Sequence, residues 1–181
     1  DEIERLESTD PDYWRVYGLG QVGRNRATIF KVNECEEIPP EAKLVSKGLD
    51  WGFVNDPSVL VETYVLGNSL YINELFYEYG MTNRDIHNKL LDLGLTRQDE
   101  IFADSSEPKS IDELHRFGWN CKAATKGKDS ILMGIDLMKR YNIYVTTRSS
   151  NTLQEFRNYK WVEDKNGNLL NKPVDKFNHS V

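Results

Sequence analysis

Between Leu44 and Tyr77 three apolar runs follow one another with only turn residues between them. From Thr82 onward the apolar spacing changes to helix-sized blocks that alternate with short strands. Few folds accommodate that order. The runs Leu44–Gly52, Ser58–Val65 and Leu70–Tyr77 are separated by Asn55-Asp56-Pro57 and by Gly67-Asn68, residues suited to tight turns, and they predict an antiparallel meander. Thr82 is placed to cap a helix on which Ile86, Leu90 and Leu93 share a face and which Gly94 closes. Glu100–Ala103 predicts a strand, and the stretch from Pro108 predicts a helix striped by Ile111, Leu114 and Phe117, with Ser105 and Ser106 as capping candidates. A strand over Trp119–Ala124 and a helix over residues 129–141 follow, then a strand over Ile143–Thr147 and a helix over Asn151–Asn158. Tyr159–Val174 closes the chain as a hairpin around Asp164-Lys165-Asn166-Gly167-Asn168. A meander followed by strand–helix alternation predicts an α/β fold. Its central mixed sheet would hold the three antiparallel strands and then parallel ones, joined by right-handed crossovers, with helices on both faces.

Residues 1–44 are poorly periodic, rich in charge and turn formers, and close on Ile38-Pro39-Pro40. We expect them to be a linker or the tail of a preceding domain, with short strands at Trp14–Tyr17 and Ala27–Val32, and residues 45–181 to form the folded domain. The stretch GLGQVG, Gly18 to Gly23, matches a dinucleotide-binding pattern. That pattern requires a helix N-terminus immediately after it, and the alternating residues from Arg24 to Phe30 predict a strand instead, so we read it as a turn. The acidic start, DEIERLESTDPD, is unlike a signal peptide and lacks a Met, which suggests a domain excised from a longer chain. No apolar stretch approaches the roughly 20 residues of a membrane span. Cys35 and Cys121 stand far apart, as do His87, His115 and His179, which argues for reduced thiols and against a zinc site.

The net charge of −6 is unevenly spread: residues 119–181 carry +5, whereas the first two thirds are acidic. Lys126, Lys128, Arg148 and Lys160 in this basic third are candidates for contacts to the phosphates of a polyanion gripped without sequence reading. A solvated basic face is the alternative.

Asp50 is the residue that the fold must explain. It stands in an apolar run, after Leu44, Val45 and Leu49 and before Trp51, where a carboxylate needs a partner to offset its desolvation. In the predicted sheet the first strand lies beside the strand that follows the first helix, so Asp50 and Asp104 end on the same edge. Two carboxylates so close do not both stay ionised without a cation between them. Oxygen ligands at an open site point to Mg²⁺ or Mn²⁺. A turn or capping role remains the alternative for each acid taken alone.

The blocks VSKGLDWGFVNDPSVLV, IFADSSEPKSIDEL, ATKGKDSILMGIDLMKRYNIYV and KWVEDKNGNLLNKPVDKFNHSV, in that order, resemble the C-terminal nuclease domain of tailed-phage terminase large subunits, and among these the PBSX-like group. The resemblance covers roughly Trp14 to Val181. It implies an RNase H-like fold and an endonuclease that cuts concatemeric double-stranded DNA. It also implies a packaging ATPase domain ahead of residue 45, and a portal protein and terminase small subunit as partners. The place of action would be the cytoplasm of the bacterial host, transiently at the procapsid. Asp50 matches the first catalytic acid, Asp104 the second, and His179 the histidine that precedes the third acid by three positions. That third aspartate is expected just beyond Val181, so the nuclease domain is C-terminally incomplete here, and Asp175 is not taken as its substitute. The matched set implies two ions about 4 Å apart. Asp50 would bridge them, Asp104 would hold one, and His179 would bind the second or move protons. The terminal hairpin, just ahead of His179, is placed to gate access. The alternatives are another RNase H-like nuclease or strand transferase of the resolvase or integrase type, or a non-catalytic module that docks on DNA or a portal.

Overall fold

The structure, a computed structural model, describes residues 27–127, 129–176 and 178–180. The expected strand Trp14–Tyr17 and the GLGQVG stretch lie outside these residues.

Nine strands and four helices are present among the described residues. They are β1 (Val32–Cys35), β2 (Lys43–Asp50), β3 (Ser58–Leu66), β4 (Ser69–Glu78), α1 (Asn83–Asp92), β5 (Glu100–Ala103), α2 (Pro108–Arg116), β6 (Asn120–Ala123), α3 (Ser130–Met138), β7 (Asn142–Thr146), α4 (Ser150–Asn158), β8 (Trp161–Glu163) and β9 (Leu169–Pro173). Seven form one sheet in the order β1-β7-β4-β3-β2-β5-β6, and β8 and β9 pair as a separate hairpin. Only β3 runs against the others: it pairs antiparallel with β2 and β4, while every other neighbouring pair in the large sheet is parallel. The expected meander and mixed sheet are present, and β2, the first strand of the meander, lies beside β5 as expected. The early strand differs from expectation. Thr28 makes only an isolated bridge to Lys160, and the strand itself begins at Val32, where it can pair in parallel with β7 at the sheet edge.

Side chains of neighbouring strand residues point to opposite faces, and the two apolar clusters follow that rule. Leu60 joins Leu49, Ile101 and Ala103 under Ile86 and Leu90 of α1 and Ile111 and Leu114 of α2. Its neighbour Val61 packs with the other cluster, where Ile72, Ile143 and Val145 meet Ile135 of α3 and Leu153 and Phe156 of α4. Helices therefore cover both faces, as predicted. A register shift in β4, where Leu60 pairs with Phe76 but Val61 with Glu74, leaves Leu75 as an extra residue. The extra residue lets Phe76 face the first cluster while Leu70 and Ile72 face the second.

The ends of the helices show which local signals operate. Thr82 caps α1 through a reciprocal capping box with Asp85. At α2 neither Ser105 nor Ser106 caps: Glu107 occupies the N-cap position without a side-chain bond, and Pro108 supplies the preset first turn.

Lys47 is only 5% exposed on β2, and its ammonium lies 2.8 Å from Asp99 Oδ1 and 3.9 Å from Glu62 Oε1. The Lys47 hydrogen bond, aided by the Thr96 amide, brings the Asp99 carboxyl down to about 2. A carboxyl lowered on folding stabilises the protein above its unfolded value and loses that contribution as pH falls towards the folded one. Between pH 5 and 2 the wild type is therefore expected to lose on the order of 2 kcal/mol more unfolding free energy than Asp99→Asn, measured by urea titration. Parallel pH profiles would show that the pair contributes nothing.

Candidate active site

β2 and β5 run side by side in parallel, with Gly48 opposite Phe102 and Leu49 opposite Ala103. The next residues on the two strands are Asp50 and Asp104. Adjacent strands lie about 4.8 Å apart, so register alone places the two carboxylates together at the carboxyl edge of the sheet. Leu49 and Ala103 point into the first apolar cluster, which turns the two acids to the other face. There both line one cavity of about 760 Å³ with Lys126 and His179.

His179 arrives from 129 positions further along the chain, and its Nδ1 lies 2.9 Å from Asp50 Oδ2. Its Nε2 lies 3.6 Å from Asp56 Oδ1, so the ring sits between two carboxylates. Lys126 forms an ion pair with Asp104, which also accepts a 2.8 Å bond from the Ser106 amide. These surroundings push the two acids in opposite directions. Burial raises the Asp50 carboxyl, and the Asp104 charge adds to this, while the His179 hydrogen bond opposes it without cancelling it. Burial also acts upward on Asp104, but the Lys126 ammonium and the Ser106 bonds outweigh it and hold the group below its usual range. A cation between two such neighbouring carboxyls offsets their mutual repulsion and the burial that disfavours the Asp50 charge.

The donor set fits a hard divalent ion. Mg²⁺ is commonly held by one or two carboxylates, with waters and substrate phosphates completing its shell. Among the described residues no three His, Cys, Asp or Glu side chains gather tightly enough to enclose an ion by themselves. The site matches an open centre built on Asp50 and Asp104, with the His179 ring resting on the first acid and the Lys126 ammonium on the second.

The four basic candidates separate. Lys126 lines the cavity with the acids. Arg148 lies over β4, donating to Asn73 Oδ1 at 2.9 Å and standing 3.7 Å from Glu37. Lys160 is held by backbone contacts to Thr28 and Val174. Lys128 lies outside the described residues. Part of the charge asymmetry along the chain is offset in space, since Lys122 pairs with Glu100 and Arg157 with Glu34.

Sequence reasoning missed Glu155. It is 2% exposed on α4, and its carboxylate accepts hydrogen bonds from Tyr77 and Ser180, the residue after His179. A signal for it exists: Thr152, Glu155, Phe156 and Tyr159 follow helical spacing along the buried face, so a Glu occupies a position where an apolar residue is expected.

Residues 50–181 match the family described as Terminase RNAseH like domain. The chain is 28% identical over 180 residues to the PBSX phage terminase large subunit of Bacillus subtilis (strain 168), covering 93% of this chain and 41% of that protein. It is 29% identical over 193 residues to the large terminase subunit of Bacillus phage SPP1, covering 100% of this chain and 46% of the other. The chain thus spans less than half the length of these two relatives. Its fold is similar to that in a crystal structure of the large terminase nuclease domain from bacteriophage SPP1 with bound Mn. The TM-score is 0.72 at 25% identity, over 84% of this chain and 92% of the other. The expected RNase H-like fold is therefore the observed one.

Proposed function

The chain belongs to the Terminase RNAseH like domain family, and from this we propose that it is the metal-dependent endonuclease domain of a phage DNA-packaging terminase large subunit. In this reading it hydrolyses phosphodiester bonds of concatemeric double-stranded DNA by a two-metal mechanism, with little sequence preference. The observation that carries the proposal is the β2–β5 register, which brings Asp50 and Asp104 to one edge of the sheet in a cavity that also holds His179. The Mn bound in the SPP1 domain supports Mg²⁺ or Mn²⁺ as the ion class here.

Asp50 and Asp104 would hold the ions, with His179 as a further ligand. Divalent ions, when bound, supply the charge that activates water and steadies the phosphoryl oxygens and the leaving 3′ oxygen. The protein's own part is positional. Neighbouring strand ends fix the separation of the acids, and a half-buried carboxyl whose charge burial disfavours gains from a cation that offsets that charge. His179 Nδ1, at 2.9 Å from Asp50, orients that carboxylate and is placed to move a proton at the site. Lys126 neutralises Asp104 in the metal-free protein. With an ion held by Asp104, the Lys126 ammonium would be free to meet a phosphate of the DNA backbone. Lys128, Arg148 and Lys160 extend the phosphate contacts.

In this reading the expected lead out of an ATPase domain of the same polypeptide (1–44) and the expected nuclease (45–181) stand with their boundary moved ahead of β1, since Val32–Cys35 pairs with β7 in the nuclease sheet. The relatives being terminase large subunits supports this division. A portal protein and the small subunit are the expected partners. Action in the host cytoplasm, transiently at the procapsid, accords with the finding that no helix among the described residues is long and apolar enough to cross a membrane.

Supercoiled plasmid incubated with the protein and Mn²⁺ is expected to be nicked and linearised. EDTA should stop the reaction, and Asp104→Asn should slow it by about 10²-fold. A docking module would bind the plasmid equally well with or without the substitution and cut nothing, and that result would overturn the nuclease reading.

A further inference from the structure

The last described residues reach the acids, and one side chain fastens them. Glu155 belongs to α4, whose Leu153 and Phe156 anchor the helix in the second apolar cluster. Its Oε2 accepts from the Ser180 amide at 2.7 Å and the Ser180 hydroxyl at 2.5 Å, and its Oε1 accepts from the Tyr77 hydroxyl at 2.9 Å. Ser180 is 6% exposed and Glu155 2%. One residue before this clamp, His179 reaches back to Asp50.

The chemistry of the clamp is specific. Three donors converge on one group, and the two oxygens of a carboxylate offer enough acceptor sites to satisfy all of them. A buried carboxylate is a costly way to fill an apolar helix face, and an apolar residue would serve packing better. What the carboxylate adds is a fixed backbone position for Ser180, and through it a fixed ring position for His179. We propose that Glu155 is a positioning residue for the nuclease, holding the His179 imidazole at Asp50 by clamping the chain immediately after it. The proposal rests on the nuclease reading for its catalytic consequence, while the placing of the ring is a separate physical claim.

Two measurements test it, one of which needs no cleavage. In ¹H–¹⁵N spectra of the imidazoles, Glu155→Ala is expected to move the His179 ring signals towards those of an unstructured histidine. The signals of His87 and His115, which lie on or beside the other face, should stay in place. In plasmid cleavage, Glu155→Ala is expected to lower kcat by about 10–100-fold with KM for DNA unchanged. In a His179→Ala background the same substitution should cost less than about twofold, because the two act as one unit. Glu155→Gln, which still accepts from the Ser180 amide, should recover most of the rate. If Glu155→Ala fails to fold, Ser180→Ala reads the same contact from the other side, and it should shift the His179 signals in the same direction by less. His179 signals that stay still, or an equal loss of rate in both backgrounds, would overturn the positioning role. A wild-type protein that never cuts DNA would remove the nuclease reading, and the ring signals would still decide whether Glu155 places His179.

Discussion

Asp50→Asn is expected to lower Mn²⁺-dependent DNA cleavage by about 10³-fold or more, a barrier increase of roughly 4 kcal/mol, and at the same time to raise the thermal stability of the metal-free protein. The first effect follows from the central place of Asp50: it faces Asp104 across adjacent strands and His179 through Nδ1, so all three groups depend on its charge. The second follows from its proton affinity. Burial raises the Asp50 carboxyl, with Asp104 adding to the rise and His179 opposing it. A carboxyl whose folded value lies above its unfolded one costs nothing below the unfolded value, about 3.9, where both states carry the proton. The cost is complete above the folded value, where both are ionised. At neutral pH the wild type bears this penalty and Asn does not, so the variant melts higher, by about 2–4 °C for each kcal/mol relieved. The two melting curves should converge below about pH 4. Added Mn²⁺ should stabilise the wild type and leave the variant unchanged, since an ion that binds only the native state shifts the transition. Wild-type cleavage by Asp50→Asn would exclude this carboxylate from the chemistry.

Trp119→Ala carries the largest expected loss of stability, about 3–5 kcal/mol from the deleted ring and the cavity it leaves. Trp119 is 2% exposed in the cluster beneath α1 and α2. Its Nε1 donates to His87 Nδ1 at 3.0 Å, and the Arg97 guanidinium lies 4.0 Å from the ring centroid. The cation–π contact adds about 0.5–1 kcal/mol, and the His87 bond leaves an unsatisfied ring nitrogen once its donor is gone. Calorimetry should show the transition about 10 °C lower or further, with Trp119→Phe recovering the packing but not the hydrogen bond. The position bears on the site because Trp119 leads into β6, the strand that flanks β5 and its terminal Asp104. A melting point within 2 °C of wild type would mean that the ring is far less tightly packed than its burial indicates.

The element order was legible because its signals are local. Apolar alternation, turn residues such as Asn55-Asp56-Pro57, and the Thr82–Asp85 capping box act within a few positions, and the structure places strands and helices where they predict. Local signals failed where two compete at short range. Near Pro108 the serines gave way to a proline-started helix, and the strand before Pro39 moved to Val32–Cys35, where β7 offers a parallel edge. The meeting of Asp50 and Asp104 was also legible, since it needs only strand order and parallel register. The place of His179 came from the resemblance of NHSV to a family block and not from periodicity.

The sequence by itself determined the succession of strands and helices, the α/β class, and the two acids at the ends of neighbouring strands, because each depends on side-chain spacing within a single element or on a simple rule for joining elements. Only the tertiary structure decided which distant groups touch. It set Glu155 under Ser180, Lys126 on Asp104, and Lys122 and Arg157 on acids far away along the chain. The two lysine pairs follow from β6 lying beside β5. The Glu155 and Arg157 contacts depend on how α4 packs against the sheet and the terminal segment, which is settled by the fit of whole surfaces that no periodicity within one segment encodes.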